Sequence, residues 1–213
     1  MTLVEKLLAV SSEPLCDPPE VGPAFLAEGP RLCRELSQML QQRNGFYAFE
    51  SALHVFPVSC VPASGVDLET WNSGILWRGE YKGFVEGLLF FAEDVFQDQF
   101  CIAQKGILRF KAETGETIFM ADSLERWADL ILSDYKYQTG WTLASQWQAE
   151  NGPLPPGKRL MPKTPFFLGG EYAVENLWAG DAVEGMRFKA DLAMQTRNLP
   201  GGTKVRLKID KRT

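Results

Sequence analysis

The spacing of apolar residues predicts two helices in the first quarter of the chain. Residues 2–10 begin with Thr2 and Glu5, which have the spacing of a capping box. The apolar stripe of this helix consists of Leu3, Val4, Leu7 and Leu8. After a Pro-rich loop, a second helix begins at Gly29-Pro30 and ends at Asn44-Gly45, since Asn and Gly tolerate the positive φ that stops a helix. Its apolar face contains Leu32, Cys33, Leu36, Met39 and Leu40.

The middle of the sequence has the pattern of a sheet. An extended piece is expected near residues 53–58, and Asp67 has the position of a cap for a short helix. Four strand candidates follow at residues 87–92, 99–103, 107–111 and 116–120. The last two are joined by Glu113-Thr114-Gly115, which supplies the glycine of a short hairpin loop. We therefore predict an α+β fold with a mostly antiparallel sheet flanked by helices.

Helical spacing returns after the sheet. We expect a helix that begins at Asp122, with Glu125 reaching back to complete a capping box. Its stripe contains Leu124, Trp127, Ala128, Ile131, Leu132 and Tyr135. A further helix is expected over residues 142–150, ending before Gly152.

The last quarter of the sequence has a different pattern. Residues 153–165 contain five prolines, so this segment is expected to lie extended over the surface, as neither helix nor central strand. Apolar residues then occupy every second position from Met186 to Met194 and from Val205 to Ile209. This alternation predicts a C-terminal β-hairpin extension over residues 186–209. Residues 1–213 are interpreted as one domain, with a core over about 30–135 and an elaboration over about 140–213.

Charge is distributed unevenly. Residues 1–150 contain 11 basic and 21 acidic residues, hence 11 − 21 = −10, whereas residues 151–213 contain 11 and 6, hence +5. An acidic body repels nucleic acid and favours basic partners, although it also simply raises solubility. We therefore expect a protein partner and no direct contact with nucleic acid.

The cysteines and the N-terminus bear on the compartment. Cys16, Cys33, Cys60 and Cys101 form no C-x-x-C pair, so we expect four reduced thiols. The sequence starts without the features of a signal peptide, and its longest apolar run is far shorter than the ~20 residues that span a bilayer. The expectation is a cytoplasmic protein with no membrane contact.

Most catalytic arrangements have no counterpart in the sequence. The single histidine, His54, lies between Leu53 and Val55 and is expected to be packed in the core. Residues 152–158 have the spacing of a phosphate-binding loop, but prolines occupy three of its four intervening positions and lack the N–H groups that hold phosphate. We predict no catalytic residue, no metal site and no cofactor.

One cluster has the composition of a binding site. Glu93, Asp94 and Asp98 fall between two predicted strands, close to Phe96 and Phe100. We predict that these five residues contact a partner, with the phenylalanines as apolar anchors. Paired acids also serve glycoside hydrolysis or metal binding, although Glu93 and Asp94 are adjacent and would point apart in a strand.

The order of elements resembles the SUKH superfamily over about residues 30–135. The similar features are Asn44-Gly45-Phe46, the strands that contain Leu88-Leu-Phe-Phe-Ala-Glu-Asp and Gln99-Phe-Cys-Ile, the hairpin over 107–120 and the helix over 123–132. This superfamily includes fungal cell-wall regulators and bacterial toxin-immunity proteins. The resemblance implies an α+β fold without a catalytic signature. Two departures are Gln97, where a glycine is usual, and the region beyond about residue 140.

Together these features predict a non-catalytic, protein-binding module and not an enzyme. The first hypothesis is an immunity-type protein whose acidic face binds and neutralises a basic toxin such as a nuclease. The second is a regulatory scaffold that binds a cellular enzyme. The third is a small hydrolase that uses Glu93, Asp94 or Asp98. The oligomeric state stays open.

Overall fold

A computed structural model describes residues 1–19, 22–60, 65–200 and 202–204. The α-helices are α1 (Leu3–Ala9), α2 (Ala24–Ala27), α3 (Arg31–Gln42), α4 (Leu68–Trp71), α5 (Leu124–Ser133), α6 (Tyr135–Thr139), α7 (Trp141–Asn151) and α8 (Ala182–Thr196). The strands are β1 (Phe46–Ala48), β2 (Leu53–Val55), β3 (Leu89–Asp94), β4 (Gln99–Ala103), β5 (Gly106–Lys111), β6 (Glu116–Ala121), β7 (Lys158–Pro162) and β8 (Leu177–Asp181). Short 3-10 turns cover Arg78–Tyr81, Phe166–Leu168 and Val174–Asn176.

Strands β1 to β6 form one antiparallel sheet in sequence order. Each strand pairs with the next, for example His54 opposite Glu93 and Phe100 opposite Arg109. The predicted hairpin is confirmed, because Lys111 pairs with Glu116 at the mouth of the connecting loop. The α+β class with a mostly antiparallel sheet is therefore confirmed.

Helices cover both faces of this sheet. On one face Phe91 and Phe100 contact Trp127 of α5. On the other face Phe90 packs edge-on against Trp77, which precedes the first 3-10 turn, and β4 contacts α4 and α8 through Gln99. Burying both faces with aromatic side chains supplies the main stabilisation of the fold.

Helix caps follow the predictions except at α5. Thr2 and Glu5 form the capping box of α1. Helix α5 is capped by Ser123, whose hydroxyl accepts from Arg126 N, so the prediction of Asp122 as the cap was wrong. Glu125 instead accepts the backbone N–H of Leu3 at 2.8 Å, because the unpaired N–H groups at the start of α1 lie beside it.

The prediction of four reduced thiols was also wrong. Cys16 and Cys60 form a disulfide, while Cys33 and Cys101 are free and buried. Asn44 brings the two halves of the disulfide together, because its backbone carbonyl accepts from Cys16 N and its side chain bonds Val58 N and O. The cysteines are 44 positions apart, so no short spacing could reveal the pair. In the loop-closure treatment a loop of this length contributes about 4 kcal/mol.

The C-terminal part of the protein contains a two-stranded antiparallel pair, as predicted, but other residues form it than the alternating pattern indicates. Strands β7 and β8 form the antiparallel pair, whereas residues 182–196 form helix α8. Asp181 caps α8 by accepting from Val183 N and Glu184 N, and Met186 and Ala190 lie on its buried face. Residues 205–209 of the predicted hairpin lie outside the described part of the protein.

The Pro-rich segment is extended, as expected, but much of it is buried. It contains β7, in which Arg159 is only 1% exposed, and Leu160 and Leu154 belong to a second hydrophobic cluster with Trp147 of α7. The expectation of a segment lying over the surface was therefore wrong. The physical reason is an ion pair between Arg159 and Glu93, together with the burial of these leucines.

Candidate functional site

The predicted acidic cluster lies in the turn that joins β3 to β4. The side chain of Asp94, the last residue of β3, holds this turn. Its Oδ1 accepts the backbone N–H of Phe96 at 2.9 Å and that of Asp98 at 3.0 Å. The turn is thereby fixed by local hydrogen bonds that a short polar side chain makes readily.

Gln97 has a backbone conformation that usually favours glycine, and its surroundings explain how a larger residue is accommodated. Its φ is +69°, in the region that favours glycine. Its side chain is buried, and Nε2 donates to the backbone O of Ala182 at 2.5 Å. Gly185 makes the room, since a Cβ there would lie 2.1 Å from the Gln97 Oε1. Gln97 thus ties the turn to the start of α8.

The five predicted partner-binding residues do not share one surface. Glu93, Asp94 and Phe100 are buried, whereas Phe96 and Asp98 are half-buried. Of these five residues, only Phe96 and Asp98 are therefore exposed enough to contact a partner in this conformation. As expected from strand geometry, Glu93 and Asp94 point to different networks.

Glu93 is the centre of an enclosed network. Its Oε1 accepts from Arg159 Nε at 2.7 Å and lies 3.2 Å from His54 Nδ1, while Oε2 accepts from Gln99 Nε2 at 3.1 Å. Gln99 in turn accepts from the indole N–H of Trp71 at 2.9 Å. The network joins β2, β3, β4 and β7 through hydrogen bonds that stay out of solvent.

Burial and charge set the protonation of this network. Burial lowers the pKa of His54 to about 4, although the hydrogen bond to Glu93 opposes the change. Burial on its own would raise the pKa of Glu93, but the charge of Arg159 and the hydrogen bond to His54 lower it to about 2. At neutral pH the network therefore contains an anion, a cation and a neutral imidazole.

Two atoms of this network have no hydrogen-bond partner among the described residues. They are Nε2 of His54 and Nη2 of Arg159, and both residues line a cavity of about 30 Å³. With Nδ1–H donated to Glu93, His54 Nε2 is an acceptor, whereas Arg159 Nη2 is a donor. The prediction of a packed histidine is confirmed, but its hydrogen bonding is only half satisfied.

Asp94 and Asp98 form a second network on the other side of the turn. Asp94 Oδ2 lies 3.4 Å from Arg109 Nη2, and Asp98 Oδ2 lies 2.6 Å from Lys111 Nζ. Burial, together with the charge of Asp98, raises the pKa of Asp94 to about 7 against the opposing charges of Arg109 and Lys111. This network borders open space, because all four of these residues line a cavity of about 380 Å³.

A buried lysine completes the charge balance of the turn. Lys189 of α8 donates to the backbone O of Phe96 and lies 3.3 Å from Gln97 Oε1. Its side chain is enclosed, and burial lowers its pKa. A cation from the C-terminal helix therefore holds the turn in place.

Arg159 and Lys189 were missed by reasoning from sequence. Arg159 lies in a Pro-rich segment expected at the surface, and Lys189 occupies a position predicted to be on the solvent side of a strand. Both are buried because the C-terminal third packs on the acidic turn, with Arg159 on Glu93 and Lys189 on Phe96 and Gln97. The acidic cluster thus anchors the C-terminal elaboration to the sheet.

Two adjoining cavities open beside Phe96. One, of about 270 Å³, is lined by Phe96, Asp98, Lys111, Glu113, Thr114, Glu116, Phe166, Phe167 and Tyr172. The other, of about 380 Å³, is lined by Asp94, Phe96, Asp98, Arg109, Lys111, Lys136, Tyr137, Gly140, Thr142, Leu143 and Tyr172. Three lining aromatics are well exposed, and we call them the aromatic rim: Tyr137 at 71%, Phe167 at 51% and Tyr172 at 69%.

The comparisons with known proteins give the fold and little more. No protein-family model matches this sequence, and no curated protein matches it. Among solved structures, it is similar to Atu4351 from Agrobacterium tumefaciens, with a TM-score of 0.56 and 14% identity over 87% of each protein. At this identity the likeness supports a shared architecture alone. No helix in the described residues has the length and hydrophobicity to cross a membrane.

Proposed function

We propose that this protein is a SUKH-type protein-binding module of the immunity kind, and that it binds a toxin through the aromatic rim. The observation that carries the proposal is the exposure of Tyr137, Phe167 and Tyr172 around two adjoining cavities. Aromatic side chains beside pockets are the commonest anchors of protein interfaces. The predicted residues Phe96 and Asp98 line both cavities and thus belong to the same surface.

Contacts within the protein hold two members of the rim, Phe167 and Tyr172, in position. The rings of Phe166 and Tyr172 stack with centroids 4.0 Å apart, and Phe96 meets Phe166 edge-on at 5.2 Å. Glu113 of the β5–β6 loop accepts the backbone N–H of Phe167 at 2.7 Å. Pre-organised side chains lose less conformational entropy on binding, which favours affinity.

The net charge of −10 over residues 1–150 supports a basic partner such as a nuclease toxin, because opposite charges speed association. The test starts with capture of the partner from the native host, followed by reconstitution from purified components. Co-expression with the identified partner then decides the class. Restored growth of a host that expresses a toxic partner supports immunity. Tight binding to a non-toxic enzyme would assign a regulatory scaffold instead.

A second candidate function rests on Asp94. A buried carboxyl with a pKa near neutrality beside a cavity is a feature of catalytic acids and bases. Its oxygens, however, accept from two backbone N–H groups and lie near Arg109, which is the arrangement of a turn-holding residue. Hydrolysis of chromogenic glycosides or esters that disappears in Asp94→Asn would favour this candidate. Absence of turnover in both forms would leave binding as the function.

The cytoplasmic location belongs to the same proposal, and the Cys16–Cys60 disulfide is the observation against it. Protein isolated from its host under anaerobic, thiol-trapping conditions and then denatured decides between them. Four trapped thiols support a reducing compartment. Two trapped thiols, those of Cys33 and Cys101, would place the protein in an oxidising one.

A further inference from the structure

The 270 Å³ cavity beside Phe96 combines aromatic walls with an excess of negative charge. Three acidic residues and one basic residue line it, so its formal charge is 1 − 3 = −2. The neighbouring 380 Å³ cavity has two acidic and three basic residues, hence 3 − 2 = +1. The two cavities share Phe96, Asp98, Lys111 and Tyr172, yet their net formal charges have opposite signs.

Two carboxylates of this cavity have no direct ion-pair partner among the described residues. Asp98 is paired with Lys111 at 2.6 Å, so these two charges cancel. Glu113 accepts the N–H groups of Phe166 and Phe167 at 3.3 and 2.7 Å. Among the described residues, neither Glu113 nor the exposed Glu116 forms a direct ion pair, although the charge of Glu113 also acts on the buried Lys189. Because backbone N–H groups have no net charge, both glutamates remain available to a cation.

The aromatic walls favour the same kind of ligand. Four rings line the cavity, and the stacked pair of Phe166 and Tyr172 is parallel within 2°. Aromatic faces attract lysine and arginine side chains. Arginine also stacks flat on rings and binds carboxylates through two hydrogen bonds at once. Rings and carboxylates in one cavity are therefore complementary to a basic side chain, and the neighbouring cavity is not.

We propose that the 270 Å³ cavity receives an arginine or lysine side chain of the protein partner, between Tyr172 and the carboxylates of Glu113 and Glu116. This inference rests on the proposed function, since it names the chemistry by which the partner is bound. It also assigns the recognition of a basic side chain to Glu113 and Glu116. Glu93 and Asp94 are excluded from this role because both are paired with arginines inside the protein.

The test uses the full-length protein labelled with ¹⁵N and two matched probes, N-acetyl-arginine amide and N-acetyl-citrulline amide. These probes have nearly the same shape and differ in charge. We expect saturable shifts of the Thr114, Glu116, Phe167 and Tyr172 amide signals with the arginine probe, and binding at least about tenfold weaker with the citrulline probe. Equal binding of the two probes, or shifts confined to other parts of the molecule, would overturn the inference.

Two variants locate the site. Glu116→Gln, at an exposed position, should weaken binding of the arginine probe several-fold, whereas Glu69→Gln, an exposed glutamate on α4, should leave it unchanged. Equal effects of the two variants would count against the cavity.

In the reconstituted complex, Glu116→Gln should also reduce affinity for the partner by a similar factor. Probe binding in a protein that captures no partner would contradict the proposed function while leaving the cation site in place.

The protein itself contains competing cations. Arg206, Lys208, Lys211 and Arg212 lie outside the described residues. Replacing all four with glutamine should leave binding of the arginine probe unchanged. Probe binding that appears only after this replacement would assign the cavity to the protein's own C-terminal segment and would overturn the proposal of a partner side chain.

Discussion

Glu93 and Asp94 are neighbours in β3, but they lie in networks of different character. The Glu93 network is enclosed between β2, β4 and β7, and a carboxylate oxygen of Glu93 lies 2.7 Å from Nε of the charged Arg159. The Asp94 network borders a cavity of about 380 Å³, and the pKa of Asp94 is raised, not lowered. Adjacent strand residues point to opposite faces, so two acids that look like one cluster in sequence serve two purposes. One network is structural, and the other lies beside the proposed binding surface.

The largest expected effect follows from removing the cation of the enclosed network. Arg159→Met leaves Glu93 buried without its partner, and we expect a loss of about 3–5 kcal/mol in the free energy of unfolding. The matched control is Lys158→Met, because the Lys158–Asp181 pair is exposed at 3.5 Å and should contribute less than about 1 kcal/mol. Urea unfolding measures both. Similar losses in the two variants would show that the Glu93 network is not the stronger one.

The next effect is the pH dependence that comes from His54. Its pKa of about 4 lies below the unfolded value of 6.5, so between these values the unfolded state binds the proton and the native state does not. His54 therefore lowers stability as pH falls from 6.5 to 4, by up to roughly 3 kcal/mol. Because the sequence has one histidine, its ring signals in NMR are unambiguous. A titration midpoint between about pH 6 and 7, the range of an exposed histidine, would contradict the enclosed environment.

Asp94 should produce a smaller effect of opposite sign. Its folded pKa of about 7 lies above the unfolded value of 3.8, so its contribution to stability falls as pH rises from 3.8 to 7. Its hydrogen bonds from Phe96 N and Asp98 N favour the ionised form, and we therefore expect a net effect on the order of 1–2 kcal/mol. Asp94→Asn should remove this part of the pH dependence. An unchanged pH profile in the variant would show that Asp94 is ionised throughout.

The smallest effect on stability is expected at the aromatic rim. Phe167→Ser and Phe25→Ser both remove a phenylalanine that is about half exposed, so each should change the free energy of unfolding by less than roughly 1 kcal/mol. Of these two phenylalanines, Phe167 lines the 270 Å³ cavity and Phe25 does not. The Phe167 variant alone should therefore weaken partner binding, by about tenfold or more. Calorimetry on the reconstituted complex measures this. Equal affinities of the two variants would remove the rim from the interface.

The candidate site could be predicted only in part. Phe96 and Asp98 could be predicted as candidates from the sequence, because acids and aromatics cluster in one turn. The exposed aromatics Phe167 and Tyr172 come from a loop that lies far beyond that turn in the sequence. Nothing in their local pattern distinguishes an exposed aromatic from a buried one, since the difference depends on what packs over the loop.

Elements whose contacts are local could be predicted from the sequence alone. Helices α1, α3 and α5 follow from apolar stripes, and the β5–β6 hairpin follows from two short strands and the glycine-containing loop between them. An antiparallel pair can be joined by a short turn, so the pattern of two strands and the turn between them indicates this pairing. Strands β2 and β3 also pair, but residues 56–88 separate them, and no turn signal indicates that pairing.

Tertiary structure decided the rest, and α8 shows why. Met186, Ala190 and Met194 are four residues apart, which satisfies both the two-residue period of a strand and the i, i+4 spacing of a helix. The choice depends on contacts with distant residues, such as Lys189 with Phe96. The Cys16–Cys60 bond and the Arg159–Glu93 pair also join residues that are far apart in the sequence. Pairings of this kind are set by how the elements pack, so they cannot be predicted from the local spacing of residues.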